Sequence, residues 1–220
     1  MFKKRPEFAL KREMGHAQLA LSLAIFLQVI GIHFNPRLAN SAQYAIVIAE
    51  LGLAIILTII LYVHTPTIKR IRKLVASLLL GFLSLSNAAS LGLVLHSLIV
   101  THTDVTGAEL LTSAIAIFIT NIIVYAVWYW EIDSPGLTSS KWSRYDKDFQ
   151  FTQQDLTKEF PNWQPQFLDY FYVSITNAIN FAPADTKPLT HAAKLLMASQ
   201  ALISVFTLAL VVARSVSILG

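Results

Sequence analysis

Residues 42–63 read AQYAIVIAELGLAIILTIILYV, a run of 22 residues in which Glu50 is the only charged side chain. A helix needs about 20 apolar residues to cross the hydrocarbon core of a bilayer. Because that core offers the backbone no hydrogen-bond partners, a chain that enters it has to be helical. This stretch therefore predicts a transmembrane helix.

Similar runs recur along the 220-residue chain, in which 55% of the residues are hydrophobic and 14% are charged. Soluble domains carry about 25% charged residues, so this composition indicates a membrane protein. We predict an all-α, multi-pass protein of the cell membrane, a single membrane domain over residues 1–220 whose partner is the lipid bilayer. The four further crossing helices are predicted at 17–34, 74–100, 108–130 and 191–219.

Two basic blocks predict the orientation. Residues 1–16 hold five Lys and Arg against two Glu, and residues 64–73 hold four Lys and Arg with no acid. Two helices separate the blocks, so both can lie in the cytoplasm, as the positive-inside rule requires. The aromatic triplet 128–130 is then predicted at the membrane interface. This charge pattern indicates topology and no nucleic-acid partner.

Residues 131–167 form the one sizeable polar segment. It opens with Asp133-Ser-Pro-Gly136, a turn signal. Its large apolar side chains predict that it lies on the membrane surface or packs against the helices. These side chains are Phe149, Phe151, Leu156, Phe160 and Trp163.

Residues 168–182, LDYFYVSITNAINFA, form a shorter stretch before the last run, and residues 168–220 together resemble a pore-like helix, turn and helix. As a helix, these 15 residues would rise only about 22 Å. They therefore predict either a re-entrant helix at about 168–181 or a short sixth crossing. Asp169, Tyr172, Thr176 and Asn180 would form one polar stripe, which either helps to bind a cation or packs inward.

The end of this short helix is a candidate cation site. Unpaired carbonyls and the negative end of the helix dipole would lie near Asn180. The expected ligands are the side chains of Thr176 and Asn180 and the carbonyls of Asn180, Phe181 and Ala182, with Asp185 at the mouth. Asp185 has a rival role as the cap of the last helix, which we favour.

Three polar residues fall inside the other apolar runs: Glu50, Asn87 and Asn121. Because a charge in the bilayer is costly, Glu50 is expected to face the bundle interior or water. It either coordinates a proton or cation, or stays neutral and hydrogen-bonded between helices. Asn87 and Asn121 either hold helices together or line a hydrophilic pathway.

Several kinds of chemistry lack their signature. The chain has no cysteine and six histidines, none of which pairs with another at metal-ligand spacing on a helix. It has no phosphate-binding glycine loop and no Gly-x-Ser-x-Gly motif. We therefore predict no enzyme, no cofactor and no metal site.

The C-terminal part of the chain loosely resembles the pore module of potassium channels. Asp185 and Pro188 fall in register with the Asp and Pro that follow the potassium filter. Ala182 and Ala184 replace the two filter glycines, whose backbone freedom such a filter uses. The resemblance implies a cation pathway without a potassium-type filter.

A larger part of the chain resembles a bacterial membrane family, domain of unknown function 1345. The similarity lies in the aromatic end at 125–130, the turn at 131–136, the Asp-aromatic stretch at 167–172, Ala184-Asp185 and the final helix around 202–205. The family implies five or six passes, no established activity and no catalytic residues.

These observations favour a channel-like or transport-like protein that conducts a monovalent cation. One short re-entrant element cannot enclose a symmetric pore, so conduction predicts a homo-oligomer. The alternative is a structural or accessory membrane protein whose polar residues only pack helices.

Overall fold

The computed structural model describes residues 7–34, 41–61, 66–97, 106–133, 147–180 and 185–219. Within these residues the chain forms seven helices and one two-stranded antiparallel sheet. The helices are α1 (Glu7–Phe34), α2 (Ser41–Leu61), α3 (Pro66–His96), α4 (Gly107–Asp133), α5 (Thr152–Asp155), α6 (Phe167–Asn180) and α7 (His191–Leu219), and the strands are β1 (Phe149–Phe151) and β2 (Thr186–Pro188).

Five helices, α1 to α4 and α7, are long and apolar enough to cross a membrane, which confirms the predicted helical class and is compatible with a membrane protein. Three of them, α1, α3 and α4, are longer than predicted. α1 begins at Glu7 and α3 at Pro66, so most of both basic blocks is helical. A hydropathy run marks only the apolar part of a helix, whereas hydrogen bonding continues into the polar part. Proline suits the first position of α3, where an N–H would have no partner.

The second helix has an inside-out pattern of burial. Ile48, Ile55 and Ile59 are 69%, 60% and 61% exposed, while Glu50 is fully buried. In water this arrangement would expose apolar surface and hide the one charge of the helix. It is the pattern expected of a helix whose outer face meets lipid.

The central helix is α4, which packs against α1, α3, α6 and α7. Residues 120–127 are all buried, as expected of a helix that is apolar on every side. The prediction that residues 128–130 anchor at the interface is wrong for two of the three. Tyr129 and Trp130 are fully buried, and Trp128 Nε1 donates to Ser84 Oγ at 2.9 Å. Neighbouring helices cover this end of α4, which a single apolar run cannot reveal.

The described part of the polar segment packs against the helices. β1 pairs with β2, with Phe149 opposite Pro188. Phe149 and Phe151 are buried, and their rings pack on Tyr170, at centroid distances of 6.2 and 5.3 Å. The sheet was not predicted, because each strand has only three residues.

The last helix begins later than the capping argument implied. α7 starts at His191, and Thr190 Oγ1 accepts a hydrogen bond from the Ala193 N–H at 3.2 Å. Thr190 is therefore the cap, and the prediction that Asp185 caps this helix is wrong. Asp185 lies before β2, which occupies the residues between it and the helix. The sequence pattern did not reveal that this stretch pairs with β1.

The short helix α6 runs along α4. The Phe167 ring packs on Trp130, with centroids 5.4 Å apart, and Ser174 Oγ donates to the Ile122 carbonyl at 2.7 Å. α6 thus leads from the end of α4 toward its middle. The chain then returns to β2, whose partner β1 lies beside the end of α4. Entry and return at one end of the bundle are the geometry of a re-entrant element.

Candidate functional site

Glu50 lies near the middle of α2 and faces the bundle interior, where it is fully buried. α2 packs against α1 and α3, so the carboxyl is enclosed by two neighbouring helices. An ionised carboxylate at this position loses its hydration, and the loss costs several kcal/mol unless a partner compensates. The identity of that partner decides what the site can do.

The partner of Glu50 is the side-chain amide of Gln28 on α1. When its nitrogen faces α2, Nε2 donates to Glu50 Oε2 at 2.7 Å and to Oε1 at 3.3 Å. The same nitrogen lies 3.2 Å from the hydroxyl of Ser86 on α3. One neutral side chain thus connects an acid and a hydroxyl on two other helices.

Within the described part of the chain, no lysine, arginine or histidine forms an ion pair with Glu50. A neutral amide donor stabilises a carboxylate less than a cation would. The carboxyl therefore has to be neutralised by a proton or to bind a positive ion. A permanently bound proton would leave a neutral contact between helices, whereas an exchangeable proton or another cation would make Glu50 a site for positive charge.

A polar cavity of about 50 Å³ adjoins this pair, between α1, α2, α3 and α4. Gln28 and Ser86 line it, whereas Glu50 lies behind them. Its volume suits a few water molecules, and its wall combines polar with apolar side chains. Other polar residues on its wall are Gln43, Asn87, Ser90, Ser113 and Thr120. The predicted pathway residue Asn87 is thus buried yet lines a polar cavity near Glu50.

A separate buried network joins α4, α6 and α7. Gln200 Oε1 accepts hydrogen bonds from Tyr129 Oη at 2.5 Å and from Asn177 Nδ2 at 2.8 Å. Gln200 Nε2 donates to the carbonyl of Ser174 at 3.0 Å and to its hydroxyl at 2.7 Å. All four side chains are at most 1% exposed. Because these groups satisfy one another, the network serves helix packing.

Asn121 belongs to this network and does not line the polar cavity. Its Nδ2 donates to the Gln200 carbonyl at 3.2 Å and to Ser204 Oγ at 2.9 Å. The amide therefore ties α4 to α7. Of the two roles considered for Asn121, the geometry supports helix packing.

The polar stripe of α6 does not face inward. Tyr172 and Asn180 are exposed, and Thr176 Oγ1 donates to the carbonyls of Tyr172 and Val173, both at 3.0 Å, in its own helix. The alternative that this stripe packs on the bundle is wrong. The inward face carries Tyr170, Ser174 and Asn177 instead. Hydrogen bonds to α4 and α7 select this face, and the spacing of polar residues alone could not show them.

The described residues do not bring the predicted α6 cation ligands together. Phe181 and Ala182 lie outside the described residues. Asp185 is exposed, and its carbonyl accepts a hydrogen bond from Thr152 Oγ1 at 2.9 Å. A cation site made of Thr176, Asn180 and these carbonyls stays a prediction.

Gln28 was overlooked in the sequence as a functional residue, although a signal for it exists. It lies six residues before the end of α1, and Glu50 lies nine residues after the start of α2. At 1.5 Å per residue these positions are about 9 and 14 Å from the turn that joins the helices. Polar residues at similar depth on consecutive helices are candidates for pairing.

No group of three or more His, Asp or Glu in the described residues could hold a metal ion. Comparison of the chain with protein-family models, with curated proteins and with solved structures finds no match. The function is therefore inferred from the chemistry of the site alone. The two resemblances noted above stay predictions.

Proposed function

We propose that the protein is a transport-like integral protein of the cell membrane, which binds a small monovalent cation at Glu50. One observation carries this proposal: a fully buried carboxyl in a membrane-length helix has a neutral glutamine as its partner. Ionisable groups in membrane helices are costly and mark ion or proton pathways. A purely structural contact could use two neutral side chains at lower cost.

The polar cavity supports a route to this site. Gln28 and Ser86 belong both to the cavity wall and to the surroundings of Glu50, so an ion or proton in the cavity is one side chain away from the carboxyl. A volume of about 50 Å³ is far from a continuous pore. These dimensions favour a carrier that changes conformation over an open channel. A channel would still require several copies around a symmetry axis, and a homo-oligomer remains part of that version of the proposal.

A second candidate function is a structural or accessory membrane protein. The network around Gln200 favours it, because its hydrogen bonds join α4, α6 and α7 to one another. Under this alternative the pair of Glu50 and Gln28 would be one more contact between helices.

Ion flux from reconstituted liposomes separates the two functions. Purified protein is placed in vesicles, and the movement of protons, sodium and potassium is measured separately. We expect the unmodified protein to move one of these ions and Glu50→Gln, which is nearly isosteric, to reduce that flux to the level of empty vesicles. Glu159→Gln removes an exposed acid in the polar segment and should leave the flux unchanged.

Absence of flux for all three ions would contradict the transport proposal and support the structural alternative. Equal flux from Glu50→Gln and the unmodified protein would contradict the assignment of Glu50.

A further inference from the structure

We propose that the ion bound at Glu50 is a proton, and that the Gln28 amide turns over as the proton binds and leaves. The inference rests on the proposed function, because it names the ion of the same site. Three features carry it: the number of oxygens around the carboxyl, the two orientations of the amide, and the position of other titratable groups.

The surroundings of Glu50 suit a proton better than a metal cation. Besides its own two oxygens, the described contacts place only the Gln28 amide at the carboxyl, and the Ser86 hydroxyl contacts that amide. A sodium or potassium ion would need a shell of oxygens to replace its water, as the carbonyl rings of potassium channels provide. Glu50 does not line the neighbouring cavity, so the oxygens of the cavity wall do not form such a shell around it. A proton needs a single acceptor atom.

The first orientation of the amide fits the ionised carboxylate. Gln28 Nε2 donates to Glu50 Oε2 at 2.7 Å, and its second N–H points to Ser86 Oγ at 3.2 Å. Both N–H groups of the amide are used, and the acceptor with the negative charge receives the shorter bond.

The second orientation fits the protonated carboxyl. With oxygen and nitrogen exchanged, Gln28 Oε1 takes the place 2.7 Å from Glu50 Oε2 and can accept the carboxyl O–H. The same oxygen accepts a hydrogen bond from Ser86 Oγ at 3.2 Å, and Nε2 donates to the Leu83 carbonyl at 3.4 Å. In the first orientation Gln28 Oε1 instead lies 3.4 Å from the Leu83 carbonyl oxygen, which is not a donor, so the second orientation is the one that gives both ends of the amide a partner. Rotation of the amide exchanges the two arrangements without moving its helix.

The step itself is a simple proton transfer. A hydronium ion that reaches the carboxylate from the cavity gives its proton to Glu50 Oε2 and becomes water, and the carboxylate becomes a neutral carboxyl. Rotation of the Gln28 amide then converts its donor to the carboxylate into an acceptor from the carboxyl. Since Gln28 and Ser86 separate Glu50 from the cavity, the proton passes beside the Gln28 amide, which is the group that rotates when the proton binds.

Other titratable groups on the packed helices lie far along their axes. On α1 the titratable residue nearest to Gln28 is His33, about 7 Å away along the helix axis. On α2 it is Tyr44, about 9 Å from Glu50 along the axis of that helix. The other titratable residues of α1 and α3 with described side chains lie about 15 Å or more along the helix axes from the level of Gln28 and Ser86. They are Arg12, Glu13 and His16 on α1 and Arg72, Lys73 and His96 on α3. Glu50 is thus the titratable group at its depth among the described side chains of α1 to α3.

Infrared difference spectroscopy tests this inference directly. The protein in lipid bilayers is stepped between acidic and basic pH, and the carboxylic C=O band is recorded together with the side-chain amide band of isotope-labelled glutamine. We expect both bands to change at the same pH. Glu50→Gln should remove both changes, and Gln28→Leu should remove the amide change. Gln166→Leu alters an exposed glutamine that does not line this cavity and should keep both.

Three results would overturn the inference. A carboxyl signal from Glu50 without an amide change would exclude the turning amide. Loss of the carboxylic band on adding sodium or potassium at constant pH would show that a metal cation occupies the site. A spectrum of the unmodified, labelled protein that does not respond to pH would exclude proton binding. This measurement does not depend on the folding of any variant.

The infrared spectra test the proton at Glu50, and the liposome measurement tests transport, so either proposal can be contradicted without the other. A proton signal at Glu50 without flux of any ion would leave the proton site standing and contradict transport. Glu50-dependent flux of sodium or potassium without a proton signal would leave transport standing and contradict the proton.

Discussion

Tyr170 Oη donates a hydrogen bond of 2.5 Å to Asp133 Oδ2, and this contact ties the start of α6 to the end of α4. The other oxygen of the same carboxyl accepts from the backbone N–H groups of Asp148 at 2.5 Å and Phe149 at 3.0 Å. Asp133 is 2% exposed. One buried side chain therefore fixes the positions of the short helix α6 and of the strand β1, although the sequence marked Asp133 only as part of a turn.

The first prediction concerns this carboxyl. Asp133→Ala leaves three donors without their acceptor, and each unsatisfied buried group costs about 1–3 kcal/mol. We expect a loss of roughly 3 kcal/mol or more in the free energy of unfolding and faster proteolysis of residues 147–166. Tyr170→Phe removes one bond and should cost about 1–2 kcal/mol.

Thermal unfolding in detergent and limited proteolysis measure both effects. Asp155→Ala, which removes an exposed carboxyl of the same polar segment, is the control. If Asp133→Ala and Asp155→Ala unfolded alike, Asp133 would not hold the segment.

The second prediction concerns the network at Gln200. Gln200→Leu keeps the size of the side chain but removes its amide from Tyr129, Asn177 and Ser174, so it should lower stability by roughly 2 kcal/mol or more. The matched control is Thr207→Val on the same helix. Its hydroxyl is also buried but donates at 2.7 Å to the Ile203 carbonyl of its own helix, so we expect less than about 0.5 kcal/mol.

Unfolding of both variants in the same lipid or detergent decides this point. Equal losses would mean that the contacts of Gln200 to α4 and α6 add nothing to stability.

The third prediction separates the two candidate cation sites. Asn180 is exposed and Thr176 is hydrogen-bonded within α6, whereas Glu50 is buried beside a polar cavity. We therefore expect Asn180→Leu to keep the ion flux of the unmodified protein and Glu50→Gln to lose it. Loss of flux in Asn180→Leu with normal flux in Glu50→Gln would instead place the cation site at the end of α6.

The fourth prediction concerns topology. The chain has no cysteine, so each introduced thiol is the only one to label. Thr67→Cys, in the second basic block, should react with an impermeant reagent only after cells are opened. Ala108→Cys, an exposed position at the start of α4, should react in intact cells.

Lys158→Cys extends this test to the polar segment. In the predicted topology α1 would cross outward and α4 would return. A groove lined by Arg12 and His16 of α1 and by Gln166 and Phe167 places the start of α6 near the start of α1. Lys158→Cys should therefore behave as Thr67→Cys does. Labelling of Lys158→Cys in intact cells would place the segment, and with it the entry of α6, on the outside.

Much of the helical architecture was readable from composition alone. A bilayer accepts only backbones that satisfy their own hydrogen bonds, so apolar runs of sufficient length predict helices without any knowledge of their neighbours. The run at 191–219 matches α7 in both bounds, and the short stretch at 168–182 agrees with α6 within two residues. The strands and the cap of α7 were not predicted. The strands pair residues that are about forty positions apart in the chain, and such pairing leaves no local pattern in the sequence.

The sequence by itself determined which residues are too polar for a lipid environment, because the cost of burying a charge is a property of the residue: Glu50, Asn87 and Asn121 were all recognisable. Only the tertiary structure decided what each of them meets. Gln28 and Glu50 pair because α1 and α2 bring similar depths together, and Asn121 joins Gln200 because α4 and α7 pack side by side. On α6 the face with Ser174 and Asn177 turned inward and the stripe with Thr176 turned away, since two neighbouring helices offered partners to one face and not to the other. Which hydrogen bonds form between helices depends on the rotation of each helix about its axis and on its position along the axis relative to its neighbours. Neither can be read from the order of residues along one helix.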